Sequence, residues 1–139
     1  MIILDTNVLS ELMKPEPSDH VTDWVASQPA TSLYVTSVTQ AEILYGILLL
    51  PAGKKRRLIE AVAIAMFEAD FAGRVLPFGS DAALQYATIA TERRRAGRPI
   101  SHFDAQIAAI ARRAGASVAT RNTTDFERCG VDLIDPWHR

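Results

Sequence analysis

What most constrains this chain is an alternation of short apolar runs with longer segments of helical period. Ile2, Ile3 and Leu4 form the first run. Residues 33–35, 75–78, 117–119 and 131–134 supply four more, each short enough for a strand. Between them, apolar residues recur at helical spacing. Val8, Leu9, Leu12 and Met13 follow the first run, and Val21, Trp24 and Val25 belong to a helix capped by Ser18 or Asp19. A third helix is predicted from about Thr39 to Leu50, with Ala41, Leu44, Tyr45 and Leu48 buried. A fourth spans 54–71, with Leu58, Ile59, Val62, Met66 and Phe67 inward. Ser80 or Asp81 opens a fifth, closed by Gly97. Ser101 opens a sixth, with Phe103, Ile107, Ile110 and Ala111 inward and Gly115 at its end. Strands alternating with helices predict an α/β fold, a parallel sheet covered on both faces. Right-handed crossovers then gather every strand exit along one edge of the sheet. Pro77 cannot donate to a ladder, so the third strand belongs at an outer position.

The length of 139 residues suits one domain spanning 1–139. A net charge of −1 excludes a polycation, so any nucleic-acid contact must come from local basic patches. Cys129 is the only cysteine, which excludes an internal disulfide and fits a reducing cytoplasm. No run is long enough to span a bilayer, and no basic segment precedes the first apolar run as in a signal peptide.

Acids fall where the strands leave the sheet, the edge at which open α/β sheets bind ligands. Asp5 ends the first strand, Glu42 lies early in the helix after the second, and Asp104 lies in the first turn after Ser101. Asn122 and Asp125 follow the fourth strand. Each has a local alternative: Asp5 as an N-cap, Thr39-x-x-Glu42 and Ser101-x-x-Asp104 as capping boxes. One shared reason for all of them would be a divalent cation, because clustered carboxylates otherwise raise one another's pKa. An oxygen-only set with no histidine at ligand spacing points to Mg²⁺ or Mn²⁺ rather than zinc. Such a site can polarise a phosphodiester and supply hydroxide for in-line attack.

The whole pattern resembles the PIN-domain family and, within it, the VapC-like toxins of toxin–antitoxin modules. The residues that carry the resemblance are Ile3-Leu4-Asp5-Thr6-Asn7-Val8, Thr39-Gln40-Ala41-Glu42-Ile43-x-x-Gly46, Phe103-Asp104-Ala105-x-Ile107-Ala108 and Ala119-Thr120-Arg121-Asn122-x-x-Asp125-Phe126. The ending Asp135-Pro136-Trp137-His138 looks like the FitB-type branch. The resemblance implies a three-layer sandwich with a sheet of order 3-2-1-4-5, Mg²⁺-dependent ribonuclease activity, a homodimer and an antitoxin partner, a small DNA-binding protein. It also implies Asp5, Glu42 and Asp104 as an acidic core, with Asp5 and Asp104 on the metal and Thr6 and Asn7 in support. Asp125 would be the fourth acid, with Thr120, Arg121 and Asn122 beside it.

The basic runs, Lys54 to Arg57, Arg93 to Arg95 with Arg98, and Arg112-Arg113, read as solvated helix faces or as phosphate-positioning groups. Arg121 is the best single candidate for the second role. His20, His102 and His138 lack metal spacing. Trp24, Phe67 and Phe103 read as core or interface. Two other classes compete. A phosphoryl-transfer enzyme could use Asp5 as nucleophile, but residue 7 is Asn where a phosphatase of the Asp-x-Asp kind has Asp. A non-catalytic acidic-pocket module of the receiver kind would want a second acidic pair near the start and a late lysine, and neither is present.

Overall fold

Three residues suffice for the first strand because both faces are buried. Along β1 (Ile2–Leu4), Ile3 points to one side of the sheet and Leu4 to the other, and both are fully buried. At roughly 25 cal/mol per Å² of apolar surface, each contributes on the order of 2 kcal/mol. A computed structural model describes residues 1–138. Its order is β1, α1 (Thr6–Leu12), α2 (Asp19–Ser27), β2 (Leu33–Thr36), α3 (Ser37–Leu48), α4 (Lys54–Ala65), β3 (Val75–Leu76), α5 (Ser80–Arg95), α6 (His102–Ala114), β4 (Ser117–Ala119) and β5 (Leu133–Ile134).

All pairings are parallel, and the strand order is 3-2-1-4-5. β1 is central, with Ile3 opposite Tyr34 on one side and Val118 on the other. The sheet divides the core. Ile3 and Val118 join Ile89, Ile107, Ile110 and Phe126 on the side of α5 and α6. Leu4, Val35 and Ala119 join Val8, Leu9, Trp24, Ile43, Ile47 and Phe67 on the other. β3, with Pro77 just beyond it, is an edge strand as predicted. Among the described residues, no helix is long and apolar enough to cross a membrane.

Several helix faces differ from the sequence reading. α3 starts at Ser37, because Thr36 takes the cap: its hydroxyl accepts the Thr39 N–H at 3.1 Å. The inward residues are Val38, Thr39, Ile43 and Ile47, whereas Ala41, Tyr45 and Leu48 are exposed. This segment is apolar on every side, so spacing alone could not select the buried face. α4 ends in a turn of π-helix over Met66–Asp70. Ala63 and Phe67 are buried, with Ile59 and Met66 packed beside them, while Leu58 and Val62, one position off that face, are each 59% exposed. Phe103, expected inward, is 52% exposed at the start of α6. α5 is preceded by Gly79 rather than capped by Ser80 or Asp81. β3 and β5 keep only two residues each.

Candidate active site

β1 leaves the sheet at Asp5, which caps α1 and is 5% exposed. One carboxylate oxygen accepts the Thr6 N–H at 2.8 Å. The other accepts the Thr120 hydroxyl at 2.8 Å and the Asn7 amide at 3.3 Å. Thr120 lies just past β4, which pairs with β1, so sheet register brings it to Asp5. Thr120 Oγ1 also receives the Asn7 amide and the Asn122 N–H, at 3.3 and 3.1 Å. The Arg121 N–H reaches Asn7 Oδ1 at 3.3 Å.

Glu42 comes from α3. Its Oε1 accepts the Thr6 hydroxyl at 2.8 Å, and Thr6 also lies 3.0 Å from the Thr39 hydroxyl. Thr39 is therefore not the cap of a box with Glu42, since Thr36 holds that role. The cap at Ser101 does form: its hydroxyl accepts the Asp104 N–H at 3.1 Å. This fixes α6 so that Asp104, half-buried, faces the same space as Asp5 and Glu42. The three acids, from three separated segments, line one open cleft of about 420 Å³ together with Thr6, Asn7, Arg121 and Asn122.

Their ionisation is strained. Burial pushes the Asp5 carboxyl up to about 6, and the charges of Asp104 and Glu42 add to the effect against the hydrogen bonds from Thr120 and Thr6. Glu42 is raised by burial and by Asp104. Asp104 is raised by burial and then by Asp125, partly offset by the Ser101 hydroxyl and by Arg93.

Asp125 is not on the cleft wall. It is exposed on a short 3₁₀ turn, Thr123–Phe126, and reaches Asp104 only through its charge. Asn122 is the residue of this segment that faces the cleft. The segment is anchored by Arg93, which is buried rather than solvated as its run suggested. Arg93 donates Nε to the Arg98 carbonyl at 2.7 Å and Nη1 to the carbonyls of Asp125 and Glu127 at 2.8 and 3.0 Å. A run of arginines hides which member turns inward.

The other end of the cleft was missed by sequence reasoning. Ser10, Glu11, Lys14 and Trp137 line it. Glu11 is 7% exposed; its carboxylate accepts from Lys14 at 2.9 Å and from the Ser18 N–H at 2.9 Å, which hold it below the ordinary carboxylate range. Trp137 follows the exit of β5, so the strand-exit rule that selected Asp5 also reaches it. The Arg121 guanidinium carbon lies 5.1 Å from its ring centroid. Among the described residues no histidine lines the cleft; His102 Nδ1 instead lies 2.6 Å from the Tyr86 hydroxyl.

The donors are all oxygens. Among the described residues, no three His, Cys, Asp or Glu side chains converge closely enough to enclose an ion by themselves. That suits Mg²⁺, which keeps several waters and needs one or two carboxylates, and not a closed zinc centre. The oxygen donors present are compatible with such a cation.

Comparison with known proteins agrees with this architecture. The PIN domain model matches residues 2–131. VapC ribonuclease Y4jK of Sinorhizobium fredii is 42% identical over 137 residues, spanning 99% of this chain and 98% of its own length. Toxin FitB of Neisseria gonorrhoeae is 38% identical over 138 residues, spanning 99% of each. The solved structure of FitAB bound to an IR36 DNA fragment matches with a TM-score of 0.93 at 37% identity, covering 100% of this chain and 97% of that one. The matching fold, strand order and length lead to one conclusion: the chain belongs to the PIN-domain family, in the group that contains the VapC and FitB proteins.

Proposed function

We propose that this protein is a Mg²⁺-dependent endoribonuclease, the toxin of a toxin–antitoxin pair, acting through a single domain of residues 1–139. The observation that carries the reading is the convergence of Asp5, Glu42 and Asp104 on one cleft with no cationic side chain paired to them among the described residues. The relatives named VapC ribonuclease and toxin FitB support the substrate class and the biological role.

In this reading Asp5 and Asp104 hold Mg²⁺ or Mn²⁺. When bound, the cation neutralises the carboxylates, polarises the scissile phosphate and lowers the pKa of water beside it. Thr6 and Thr120 hold the carboxylates of Glu42 and Asp5 in place. Glu42 Oε2 has no hydrogen-bond partner among the described residues, and its raised pKa suits it to take a proton from the attacking water. Asn122 contacts substrate from the cleft wall, while Asp125 tunes Asp104 from outside.

The cleft has no histidine pair to run attack by a substrate 2′-hydroxyl. The expected products therefore carry a 5′-phosphate and a 3′-hydroxyl. The test is end-group analysis of RNA cut by purified protein in Mg²⁺ and in EDTA. Cyclic phosphate ends, or cleavage that persists in EDTA, would refute the reading.

We also propose a cognate antitoxin, a small DNA-binding protein that inhibits by placing an arginine among the three acids, where a bidentate guanidinium replaces the cation. FitAB bound to DNA supports the kind of partner. A complex that leaves the acids open to Mg²⁺ would defeat it. Homodimerisation is proposed as well, supported by the exposed Tyr45, Leu48, Leu49 and Phe103. Sedimentation of the isolated protein tests it.

A further inference from the structure

Arg121 and Trp137 follow the exits of adjacent parallel strands, β4 and β5, at the sheet edge where the acids gather. Both line the cleft, and the guanidinium lies over the indole ring. Backbone bonds hold the pair from behind. The Thr120 N–H meets the Ile134 carbonyl at 2.9 Å, and the Trp137 N–H meets Asp135 Oδ1 at 2.9 Å. Among the described residues the Arg121 guanidinium has no ion-pair partner. The acid nearest in influence, Glu11, is already engaged by Lys14 and the Ser18 N–H. This stretch of the cleft wall thus offers the exposed part of a half-buried indole and a guanidinium with no hydrogen-bond or ion-pair partner among the described residues.

We propose that Arg121 and Trp137 form a nucleotide subsite for single-stranded RNA beside the bond that is cut; this rests on the ribonuclease reading above. A base packs against the indole, and the guanidinium takes an adjoining phosphate. Stacking on an aromatic ring tolerates any base, because every base has a π-face. A guanidinium laid on an indole keeps its edge donors free for phosphate oxygens. A base locked in a duplex is already stacked and cannot enter, so the subsite selects unpaired RNA.

Kinetics on a short single-stranded RNA, once its cut site is mapped, provide the test. Trp137→Leu should raise KM about ten-fold, within the range that removing one stacking partner produces, while kcat changes by less than about three-fold. Trp137→Phe should recover most of the loss. Replacing one nucleotide flanking the cut by an abasic residue should impose a similar KM rise on the wild type and little further rise on Trp137→Leu. Effects that simply multiply would overturn the subsite, as would a loss confined to kcat and melting temperature. A second measurement does not depend on cleavage. Trp24 is 4% exposed and shielded, so a ten-nucleotide RNA added to Asp5→Asn should quench emission from Trp137, and the quench should vanish in the double variant with Trp137→Phe. Quenching without cleavage of any RNA would support the subsite and remove the ribonuclease reading. Cleavage unaffected by Trp137→Leu would do the reverse.

Discussion

Asp5 and Glu11 are two buried carboxylates on the wall of one cleft, 5% and 7% exposed, and the protein treats them in opposite ways. Glu11 has a lysine and a backbone N–H, and its pKa is lowered. Asp5 has hydroxyl, amide and backbone donors but no cation, faces two further acids, and is raised to about 6. A buried charge is tolerated when it is paired. Glu11 is complete within the chain. Asp5 is not: among the described residues no cationic side chain pairs with it. Burial therefore says little about role here; the partners separate an acid that holds the α1–α2 connection from one left without a cation among the described residues.

The largest effect should separate the two acids in activity. Asp5→Asn, Glu42→Gln and Asp104→Asn should each lower kcat by about two orders of magnitude or more, as loss of a group acting on the reacting atoms does. Glu11→Gln should keep kcat within about ten-fold while lowering the melting temperature. Initial rates on one RNA and thermal melts of all four variants check this. Equal losses at positions 5 and 11 would erase the distinction.

Next in size is the response to Mg²⁺. At about 100 times its Kd, a ligand of the folded state adds about 2.7 kcal/mol. Wild type should melt several degrees higher in Mg²⁺ than in EDTA, and Asp5→Asn should gain little. The gain should shrink below about pH 6, where Asp5 takes up a proton that competes with the cation. Differential scanning calorimetry at pH 5 and 8 measures both.

Smaller still is the effect of the Asp5 charge on metal-free stability. Its folded pKa is raised, so the folded state binds more protons than the unfolded chain, and stability falls as pH rises from about 4 through about 6. The raised pKa sets an upper bound of about 3 kcal/mol, and weakening of the Thr120 bond on substitution brings the net effect below that of Mg²⁺. Asp5→Asn should therefore match or undercut wild type at pH 4 in EDTA and exceed it at pH 7. Glu11 has the opposite sign: its contribution is present above its unfolded pKa and fades as pH falls through its lowered folded value. The smallest effect belongs to Lys14→Ala. Lys14 is 58% exposed, so removing it should shift the Glu11 titration upward, followed by NMR, with little change in melting temperature.

The sheet, its order and the gathering of acids were legible because they depend on where strands end. Ile2 to Leu4 can only be a short buried strand, and Asp5 follows it at once. Thr120 came with the quoted motif, but its bond to Asp5 depends on the β1–β4 register, which no local pattern encodes. Helix faces were legible only where polarity was uneven. α6 has arginines on one side and Ile107, Ile110 and Ala111 on the other, and those three are buried as expected. α3 has apolar residues spread around its circumference, and its face was set by the Thr36 cap and by tertiary packing. No local pattern singled out Glu11 or Lys14. Only the path of the chain after α1, which brings the Ser18 N–H to Glu11, shows that this pair is partly enclosed.

Arg93 grips the segment after β4 by the carbonyls of residues 125 and 127. A carbonyl is supplied by every amino acid, so the grip does not depend on which side chains stand there. The side chains of Asp125 and Glu127 are exposed, so the docking of this stretch on α5 does not rest on them. The molecule thus carries, beside a cleft lined by three acids, a stretch of chain whose shape is held through its backbone and not through its side chains.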